Sequence, residues 1–403
     1  MGATSQVLIF NTGSSSLKFA VVDPSTGLDI VSGIGESLGS DEPALEWECR
    51  GVEQARKLAS GSGHREVIEL LVSDVLSELP DLRQRLVAVG HRVVHGGEHF
   101  ANSVIIDQEV ITTIDQCSAL APLHNPAALA GIRAAQAAFP ELPQVAVFDT
   151  AFHQTLPEHA FLYALPFSLY RDHRIRRYGM HGTSHRFVSE RAAMLLGKPL
   201  EETNTITAHL GNGASITAVK GGASVDTSMG MTPLEGLVMG TRCGDIDPGL
   251  LLHLVETLGV TAAELNRLLN RESGLLGISG LSNDCRELEQ AVVDGHRGAL
   301  LALEIFSYRL AKYIAAYRVP LRRVHALVFT GGIGENSSWI RARTMHWLGA
   351  LSYELDSERN DKMRFGAEGA ISREGTPTVL VIPTNEEWVI ARDAAALVQG
   401  ENR

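Results

Sequence analysis

Two apolar stretches of strand length flank a short polar segment near the start of the chain. Residues 7–10 are all apolar, "NTGSSS" follows at residues 11–16, and residues 17–22 alternate with the period of a strand that buries one face. We therefore predict a β-hairpin with residues 11–16 at its tip. The tip residues are typical of an ordinary turn, and they also suit a cradle in which backbone N–H groups and hydroxyls bind an oxyanion.

The same arrangement returns about half a chain later. The segment "TITAHLGNGASITAVKGG", residues 205–222, places an apolar strand before a tip that contains Asn212, Gly213 and Ser215, and a second alternating strand follows. This repeat predicts two similar halves, each of which opens with a polar-tipped hairpin.

A third segment, "ALVFTGGIGENSSWIR" at residues 326–341, predicts a strand, a glycine turn and a helix that begins near Asn336 or Ser337. A helix N-terminus behind a glycine turn lets a ligand approach the backbone closely and favours negative charge. The segment matches neither G-x-x-x-x-G-K-[ST] nor G-x-G-x-x-G, which disfavours a P-loop or a Rossmann fold.

Helical periodicity alternates with these strands, which predicts an α/β fold. Asn125, with Pro126 behind it, is the expected N-cap of one helix, and Asn385 is the expected N-cap of the last. The predicted helices cover residues 64–79, 125–139, 248–258, 297–318 and 386–398.

Composition narrows the classes of partner. With 403 residues the chain exceeds one ordinary hydrophobic core, so we expect two domains. A formal charge of −12 argues against nucleic acid or an anionic membrane as a partner, and an anionic substrate would need a local cluster of basic residues. The four cysteines are widely spaced, and we find neither a secretion signal nor an apolar run of membrane-spanning length. We expect a cytoplasmic protein.

Five titratable residues lie in short motifs at the predicted ends of strands and helices or in loops. They are Arg92 in "GHRVVHGG", His124 in "LHNPAAL", Asp149 in "VFDTAFH", His181 in "RYGMHGTSH" and Arg242 in "MGTRCGDIDPG". Each also has a structural interpretation, as an ion pair, a turn cap or a buried hydrogen-bonding group. Together with two hairpins that suit phosphates, they indicate phosphoryl transfer, which depends on positioning and charge stabilisation rather than on a nucleophilic side chain.

The histidines do not predict a zinc or iron site. His91, His95 and His99 are spaced by four, but their segment is typical of a strand that runs into a turn rather than of a helix. The sequence contains no H-E-x-x-H or comparable ligand set. Carboxylates would instead suit Mg²⁺, which prefers oxygen ligands and water.

In their order along the chain, these motifs resemble those of the acetate kinases, a family in the superfamily of acetate and sugar kinases, Hsp70 and actin. "LIFNTGSSSLKF" is similar to the first signature of the family, and "RRYGMHGTSH" with "ITAHLGNGASI" is similar to the second. The order of "HRVVHGG", "PLHNP", "FDTAFH", "GTRCGDIDPG", "FTGGIGENS" and "PTNEE" is also that of the family, so the resemblance extends over residues 7–398.

The resemblance implies an α/β fold of two RNase H-like (actin-like ATPase) domains, each a mixed sheet flanked by helices, with an active-site cleft between them. It implies an N-terminal domain of residues 1–150 plus 386–403, whose last helix crosses back, and a nucleotide-binding domain of residues 151–385. It also implies a homodimer.

The resemblance further implies roles for individual residues. The residues implied in catalysis are Asp149, Arg92, His181, Arg242 and His124. The residues implied to hold Mg²⁺, or Mn²⁺ in its place, are Asn11 and Glu386. Those implied to bind ATP are Ser14, Ser16, Lys18, His209, Leu210, Gly211, Asn212, Gly213, Asp284, Cys285, Arg286, Gly332, Ile333, Gly334 and Asn336. Those implied to bind acetate are Arg92, Val94, Leu123, Met180 and Pro233.

The implied reaction is reversible, Mg²⁺-dependent, in-line transfer of the γ-phosphoryl group of ATP to acetate, which gives acetyl phosphate and ADP. A carboxylic acid is already ionised at pH 7, so two arginines rather than a strong base would bring the two anions together. The alternatives are a propionate or other short-chain acyl kinase on the same fold, pyrophosphate as the donor, and an ATPase of the actin or Hsp70 type that phosphorylates no metabolite.

Overall fold

The strands of the protein form two mixed sheets in the computed structural model, which describes residues 5–122 and 124–400. In chain order the strands are β1 (Gln6–Thr12), β2 (Leu17–Val22), β3 (Asp29–Glu36), β4 (Ala44–Cys49), β5 (Val52–Lys57), β6 (Leu86–Val93), β7 (Val104–Ile105), β8 (Gln144–Phe148), β9 (Asn204–Leu210), β10 (Ala214–Lys220), β11 (Ala223–Thr227), β12 (Ala326–Thr330), β13 (Gly369–Ala370) and β14 (Val379–Val381).

Helices flank the sheets. In chain order they are α1 (His64–Leu70), α2 (Pro80–Arg85), α3 (Gln108–Gln116), α4 (Asn125–Ala138), α5 (Glu158–Phe161), α6 (Phe167–His173), α7 (Gly182–Leu195), α8 (Pro248–Glu256), α9 (Ala262–Arg271), α10 (Gly274–Ser279), α11 (Cys285–Val293), α12 (Arg297–Ala316), α13 (Arg318–Leu321), α14 (Gly331–Asn336), α15 (Ser338–Trp347), α16 (Ser357–Lys362) and α17 (Glu386–Gln399). Within the described ranges, none of them is both long enough and apolar enough to span a membrane.

The chain divides into two units, each of which contains one sheet. The first unit comprises Met1–Phe152 and Asn385–Arg403, and the second comprises His153–Thr384. The strand order is β5-β4-β3-β2-β1-β6-β8-β7 in the first unit and β11-β10-β9-β12-β14-β13 in the second.

Both sheets contain the same five-strand pattern. In the first unit the antiparallel strands β3, β2 and β1 continue into β6 and β8, which are parallel to β1. In the second unit the antiparallel strands β11, β10 and β9 continue into β12 and β14, which are parallel to β9. The α/β class and the prediction of two similar halves that open with a hairpin are confirmed.

Helix α17 covers one face of the first sheet. Its Ile390, Ala391 and Ala394 pack in one buried cluster with Val7 and Ile9 of β1. The intervening apolar side chains of β1 pack with residues of α1 and α4 in a separate cluster, because successive side chains of a strand point to opposite faces. The odd-numbered residues of β1 therefore share the face that α17 covers.

Most predicted helix bounds hold to within two residues, and the exceptions have local causes. The predicted helix at 64–79 is α1, which ends at Leu70 and is followed by a π-helical turn at Leu71–Val75. The glycine-rich segment at 326–341 forms the short helix α14 before α15, whose N-cap is Ser337.

The first hairpin differs from its prediction in two ways. Asn11 and Thr12 belong to β1, so the tip contains only residues 13–16. Strand β2 is buried on both faces except at Lys18, because the sheet has an apolar cluster on each side.

The predicted N-cap of α4 is also corrected. Its N-cap is His124, and the side chain of Asn125 is buried instead. Asn125 Nδ2 donates to the His95 carbonyl oxygen at 2.9 Å, and Asn125 Oδ1 accepts from the His95 N–H at 3.1 Å. The amide therefore fastens α4 to the turn after β6 rather than capping the helix.

Candidate active site

Three polar side chains of the first unit surround the guanidinium of Arg92. Arg92 Nε and Nη2 donate to the two carboxylate oxygens of Asp149 at 2.9 and 2.7 Å. Arg92 Nη1 donates to Asn11 Oδ1 at 3.3 Å, and Arg92 Nε lies 3.8 Å from Glu386 Oε2. The sequence prediction had given these residues different roles, and the structure brings them to one place.

Strand register explains this convergence. Asn11 pairs with Lys18 on one side and with Arg92 on the other, so all three side chains share a face of the sheet. Arg92 pairs with Val147, and Asp149 lies two residues further along the chain, which returns it to the same face. Helix α17 covers that face, and its first residue is Glu386.

Burial and charge oppose each other at this ion pair. Burial acts to lower the pKa of Arg92, and the negative charges of Asp149 and Glu386 outweigh burial and raise it. Burial raises the pKa of Asp149, and the Arg92 guanidinium acts against that rise. Each charge therefore offsets the cost of burying the other. Removing either partner would leave an unpaired buried charge, which is destabilising.

Lys18 lies apart from the serines with which it was grouped. It lines a cavity of about 330 Å³ whose wall also contains Asn11, Asp29 and Glu387. Burial raises the pKa of both carboxyl groups, Asp29 and Glu387. Ser14 and Ser16 belong to the hairpin tip, where the Gly13 N–H donates to the Ser16 carbonyl oxygen at 2.8 Å.

The other predicted residues of the first unit flank this centre. Val94 follows β6 and is half-buried. His124 is the half-buried N-cap of α4. Leu123 lies outside the described residues.

In the second unit, a serine hydroxyl joins two histidines. Ser215 Oγ lies 2.8 Å from His181 Nδ1 and 2.8 Å from His185 Nε2. The other ring nitrogen of His185 lies 2.7 Å from Thr207 Oγ1, and burial lowers the pKa of His185 well below its ordinary value. Because the Ser215 hydroxyl carries one proton, it can donate to only one of the two rings, so at least one of these ring nitrogens must carry a proton and donate to it, which couples the tautomers of the two histidines.

His181 also has an unusual backbone and a stacked ring. It stands before α7 with a φ of 58°, in the left-handed region that few residues other than glycine adopt. Its ring stacks on that of His209, with centroids 4.3 Å apart, and His209 Nδ1 lies 2.8 Å from Ser184 Oγ. Such strain at a polar site is typical of functional residues.

Arg242 approaches the same place without a carboxylate. A Cβ placed at Gly213 would lie 3.6 Å from both Arg242 Nη1 and His181 Nε2, so a side chain there would fill the space between them. Arg242 Nη1 donates to the carbonyl oxygen of Pro233 at 3.2 Å, and within the described part of the chain no carboxylate pairs with it. Burial lowers the pKa of Arg242. Met180 is buried.

Most of the predicted nucleotide residues line one cavity. Its volume is about 520 Å³, and the predicted residues in its wall are Gly211, Asn212, Asp284, Cys285, Arg286, Gly332, Ile333 and Asn336. The predicted nucleotide residues outside that wall are Ser14, Ser16 and Lys18 of the first unit and His209, Leu210, Gly213 and Gly334 of the second. A Cβ at Gly334 would make only ordinary contacts of 3.5–3.7 Å with β9 and β12, so packing there does not require glycine.

Local contacts shape the cavity. Asp284 caps α11 and pairs with Arg286 at 2.6 Å between Oδ2 and Nη2, and this hydrogen bond lowers the pKa of Asp284. Gly331 has a φ of 76°, and a Cβ there would lie 2.9 Å from the Leu210 carbonyl oxygen. Only glycine allows the chain to turn from β12 into α14 so close to β9.

Sequence reasoning missed several contributors. It named His185 and Ser215 in their motifs without assigning them a role, and it did not consider Glu289 or Phe365, which also line the cavity. The two histidines of "HGTSH" were an available signal, but the group that joins them is the hydroxyl of Ser215, which is distant along the chain.

A comparison with known proteins identifies the family. The family model described as the acetokinase family matches residues 6–392. The chain belongs to the acetokinase family. Among its curated relatives, an acetate kinase of Shewanella loihica is 61% identical over 393 residues, which is 98% of this chain and 99% of the relative.

Solved structures of the acetokinase family have the same fold. A propionate kinase from Francisella tularensis is 46% identical with a TM-score of 0.92, and the match covers 97% of this chain and 99% of that one. An acetate kinase from Porphyromonas gingivalis is 44% identical with a TM-score of 0.92, and the match covers 98% of this chain and 100% of that one.

Replacing Arg92 and Arg242 by a neutral residue should have different effects on the free energy of unfolding. Arg92→Met leaves buried Asp149 without its partner, which should cost about 3–5 kcal/mol of stability. Arg242→Met removes a partly buried charge that has no carboxylate, so it should leave stability unchanged or higher. Thermal unfolding of both variants tests this contrast, and the double variant Arg92→Met/Asp149→Leu should recover much of the loss. Equal losses for the two single variants would contradict it.

Proposed function

We propose that this member of the acetokinase family is an acetate kinase that transfers the γ-phosphoryl group of ATP to acetate, reversibly. The observation that carries the proposal is a pair of arginines in different electrostatic states, Arg92 held by carboxylates and Arg242 without one. A guanidinium without a carboxylate, beside His181 and a glycine hairpin, suits an anion that arrives from solution. The acetate kinases among its relatives support the same reaction.

The proposed chemistry is displacement at phosphorus. A carboxylate oxygen of acetate attacks the γ-phosphorus, and the bond between that phosphorus and the oxygen that bridges it to ADP breaks. Acetate carries no proton that must be removed, so the site needs charge stabilisation rather than a strong base. We assign Arg242 and His181 to the phosphoryl oxygens and Arg92 to the acetate carboxylate, with Asp149 holding Arg92 in orientation. His124 assists at the phosphoryl group, and Val94, Met180 and Pro233 contact acetate.

The nucleotide is assigned to the glycine-rich surfaces. We assign the base and ribose to the cavity of about 520 Å³ and the phosphates to the hairpin residues, because backbone N–H groups suit oxyanions. The phosphate-binding residues are then Ser14, Ser16, Lys18 and the segment from His209 to Gly213. An open cavity favours ATP over pyrophosphate as the donor.

The donor set beside Arg92 fits a divalent cation that prefers oxygen. Asn11 and Glu386 both approach Arg92, and Asp149 adds a second carboxylate, so negative charge exceeds the single guanidinium there. No group of three or more histidine, cysteine or acidic residues that could hold a metal occurs among residues 5–122 and 124–400. That suits Mg²⁺, which keeps several waters and binds substrate phosphates through few protein ligands. We assign Asn11 and Glu386 to Mg²⁺, which would neutralise phosphate charge when bound.

The acyl acceptor is tested by a panel of acids. We expect acetate to give the highest kcat/KM when hydroxamate formation is measured with ATP, Mg²⁺ and acetate, propionate or butyrate. Propionate kinase is the second candidate, because a propionate kinase is among the structures of highest similarity. One methylene is worth only about 1–3 kcal/mol in an apolar pocket, so some turnover of propionate is expected. A clear preference for a longer acid would overturn the acetate assignment.

The assignment of Glu386 to Mg²⁺ is tested by comparing substitutions of two adjacent glutamates, Glu386 and Glu387. Glu386→Gln should raise the Mg²⁺ concentration for half-maximal turnover by roughly tenfold or more, a loss of 1.4 kcal/mol. Glu387→Gln is the matched control, since Glu387 lines the Lys18 cavity rather than contacting Arg92, and it should leave that concentration within about twofold. Equal shifts in the two variants would assign the effect to helix charge rather than to a ligand.

Helix α8 supports a homodimer. Its sequence is "PGLLLHLVE", yet none of its residues is buried. Leu250, Leu252 and Val255 are all exposed, and Leu258 beyond the helix is exposed as well. Exposed apolar helices of this kind mark association surfaces, and we assign α8 to contact with a second copy of the chain.

The assignment of α8 to the dimer interface is tested by introducing a charged residue into this helix. Leu252→Glu should convert the dimer to a monomer in size-exclusion chromatography with light scattering, because an unpaired carboxylate would be buried at the interface. Leu28→Glu alters an equally exposed leucine of the first unit and should leave the mass at that of two chains. A Leu252→Glu protein that remains dimeric would place the interface elsewhere.

A further inference from the structure

Phe365 combines two unfavourable features in one residue. Its side chain is 89% exposed, although it is a large apolar ring. Its φ is 54°, in the left-handed region, which costs a residue with a Cβ about 1–2 kcal/mol. A folded chain retains such an arrangement where the residue has a task that its exposure serves.

The backbone of Phe365 is fastened to the floor of the nucleotide cavity. The Phe365 N–H donates to Asn336 Oδ1 at 2.9 Å, and Asn336 Nδ2 donates to the Gly332 carbonyl oxygen at 3.0 Å. Asn336 therefore uses both ends of its amide to join the Phe365 segment to α14. The backbone that carries the ring is therefore held in place rather than left on a free loop.

A buried arginine, Arg341, also connects α14 to the segment that leads to Phe365. Arg341 Nη1 donates to the carbonyl oxygens of Gly334 and Glu335 at 2.9 and 2.8 Å. Its Nη2 donates to those of Asn360 and Met363 at 2.7 and 2.9 Å. One guanidinium thus holds α14 and the segment that leads to Phe365 in a defined relation.

Phe365 supplies the aromatic ring of the cavity wall. The wall consists mainly of glycines and polar or charged side chains, and the larger apolar side chains in it are Ile333 and Phe365. A nucleotide base has polar edges and two apolar faces, so it needs a flat apolar surface that the rest of the wall does not supply. Stacking on an aromatic ring satisfies that need.

We propose that Phe365 stacks on the base of the nucleotide and makes this cavity selective for nucleoside triphosphates over base-free polyphosphates. The proposal rests on the assignment of the cavity to the nucleotide. The exposed ring, carried by a strained backbone, is then a preformed stacking surface. Its unfavourable exposure to water ends when the base covers it.

The direct test is the binding of ADP by calorimetry, which requires no turnover. Phe365→Ala should weaken ADP binding and raise the KM for ATP by about 5- to 100-fold, with the KM for acetate within about twofold, since base stacking is worth about 1–3 kcal/mol. Phe365→Trp should retain wild-type affinity. Phe167→Ala removes an exposed phenylalanine of the same unit outside the cavity and serves as the matched control.

Two further measurements separate stacking from a structural role. Phe365→Gly should raise the unfolding temperature, because glycine relieves the backbone strain, and should weaken ADP binding as much as Phe365→Ala does. Inorganic triphosphate, a base-free competitor, should bind wild type and Phe365→Ala equally well.

ADP affinity within about twofold of wild type in Phe365→Ala, or an equal loss for ADP and triphosphate, would overturn the proposal. Absence of acyl phosphate formation by wild type would instead refute the proposed function, and ADP binding would still decide the role of Phe365.

Discussion

The register of strand β1 is the constraint on which the chemistry of the first unit depends. Asn11 pairs with both Lys18 and Arg92, so one strand position brings three polar side chains to one face. A slip of one residue would turn Asn11 toward the apolar cluster and Phe10 toward Arg92. That register is enforced by apolar side chains on both faces of the sheet, and the core therefore sets the site geometry.

Arg92 and Arg242 differ in how their charges are compensated. Arg92 is bound bidentately by Asp149, which fixes its plane and compensates its burial. Arg242 is held by carbonyl and thioether groups that orient it without cancelling its charge. A paired guanidinium presents a fixed geometry, and an unpaired one presents a strong field. An enzyme that brings one anion up to another needs both properties, because orientation without charge leaves the repulsion in place.

The sequence was sufficient where neighbours along the chain decide the outcome. Periodicity predicted the hairpins and the bounds of α12 to within two residues, and Ser337 was among the predicted caps of α15. It failed where distant contacts decide, as at Asn125, whose amide bonds the turn after β6 instead of capping α4. The partners of Arg92 depend on strand pairing across tens of residues, and the Ser215 bridge joins residues that are 30 and 34 positions apart. Phe365 carried no local signal, because its exposure and backbone strain exist only in the fold.

Equivalent sheets in the two units carry different chemistry, and the reason lies in the residues at the ends of their strands. In the first unit the sheet face beside α17 ends in charged side chains, which suit a metal and a carboxylate. In the second the corresponding hairpin ends in glycine, and its Ser215 joins half-buried His181 and buried His185 of the α7 segment, which suit phosphate. The order of the strands is the same because their side chains form the buried core. The residues at the strand ends are not constrained by core packing in this way. The two sheets thus provide similar rigid frames, and the residues at their strand ends differ in the chemistry that they offer.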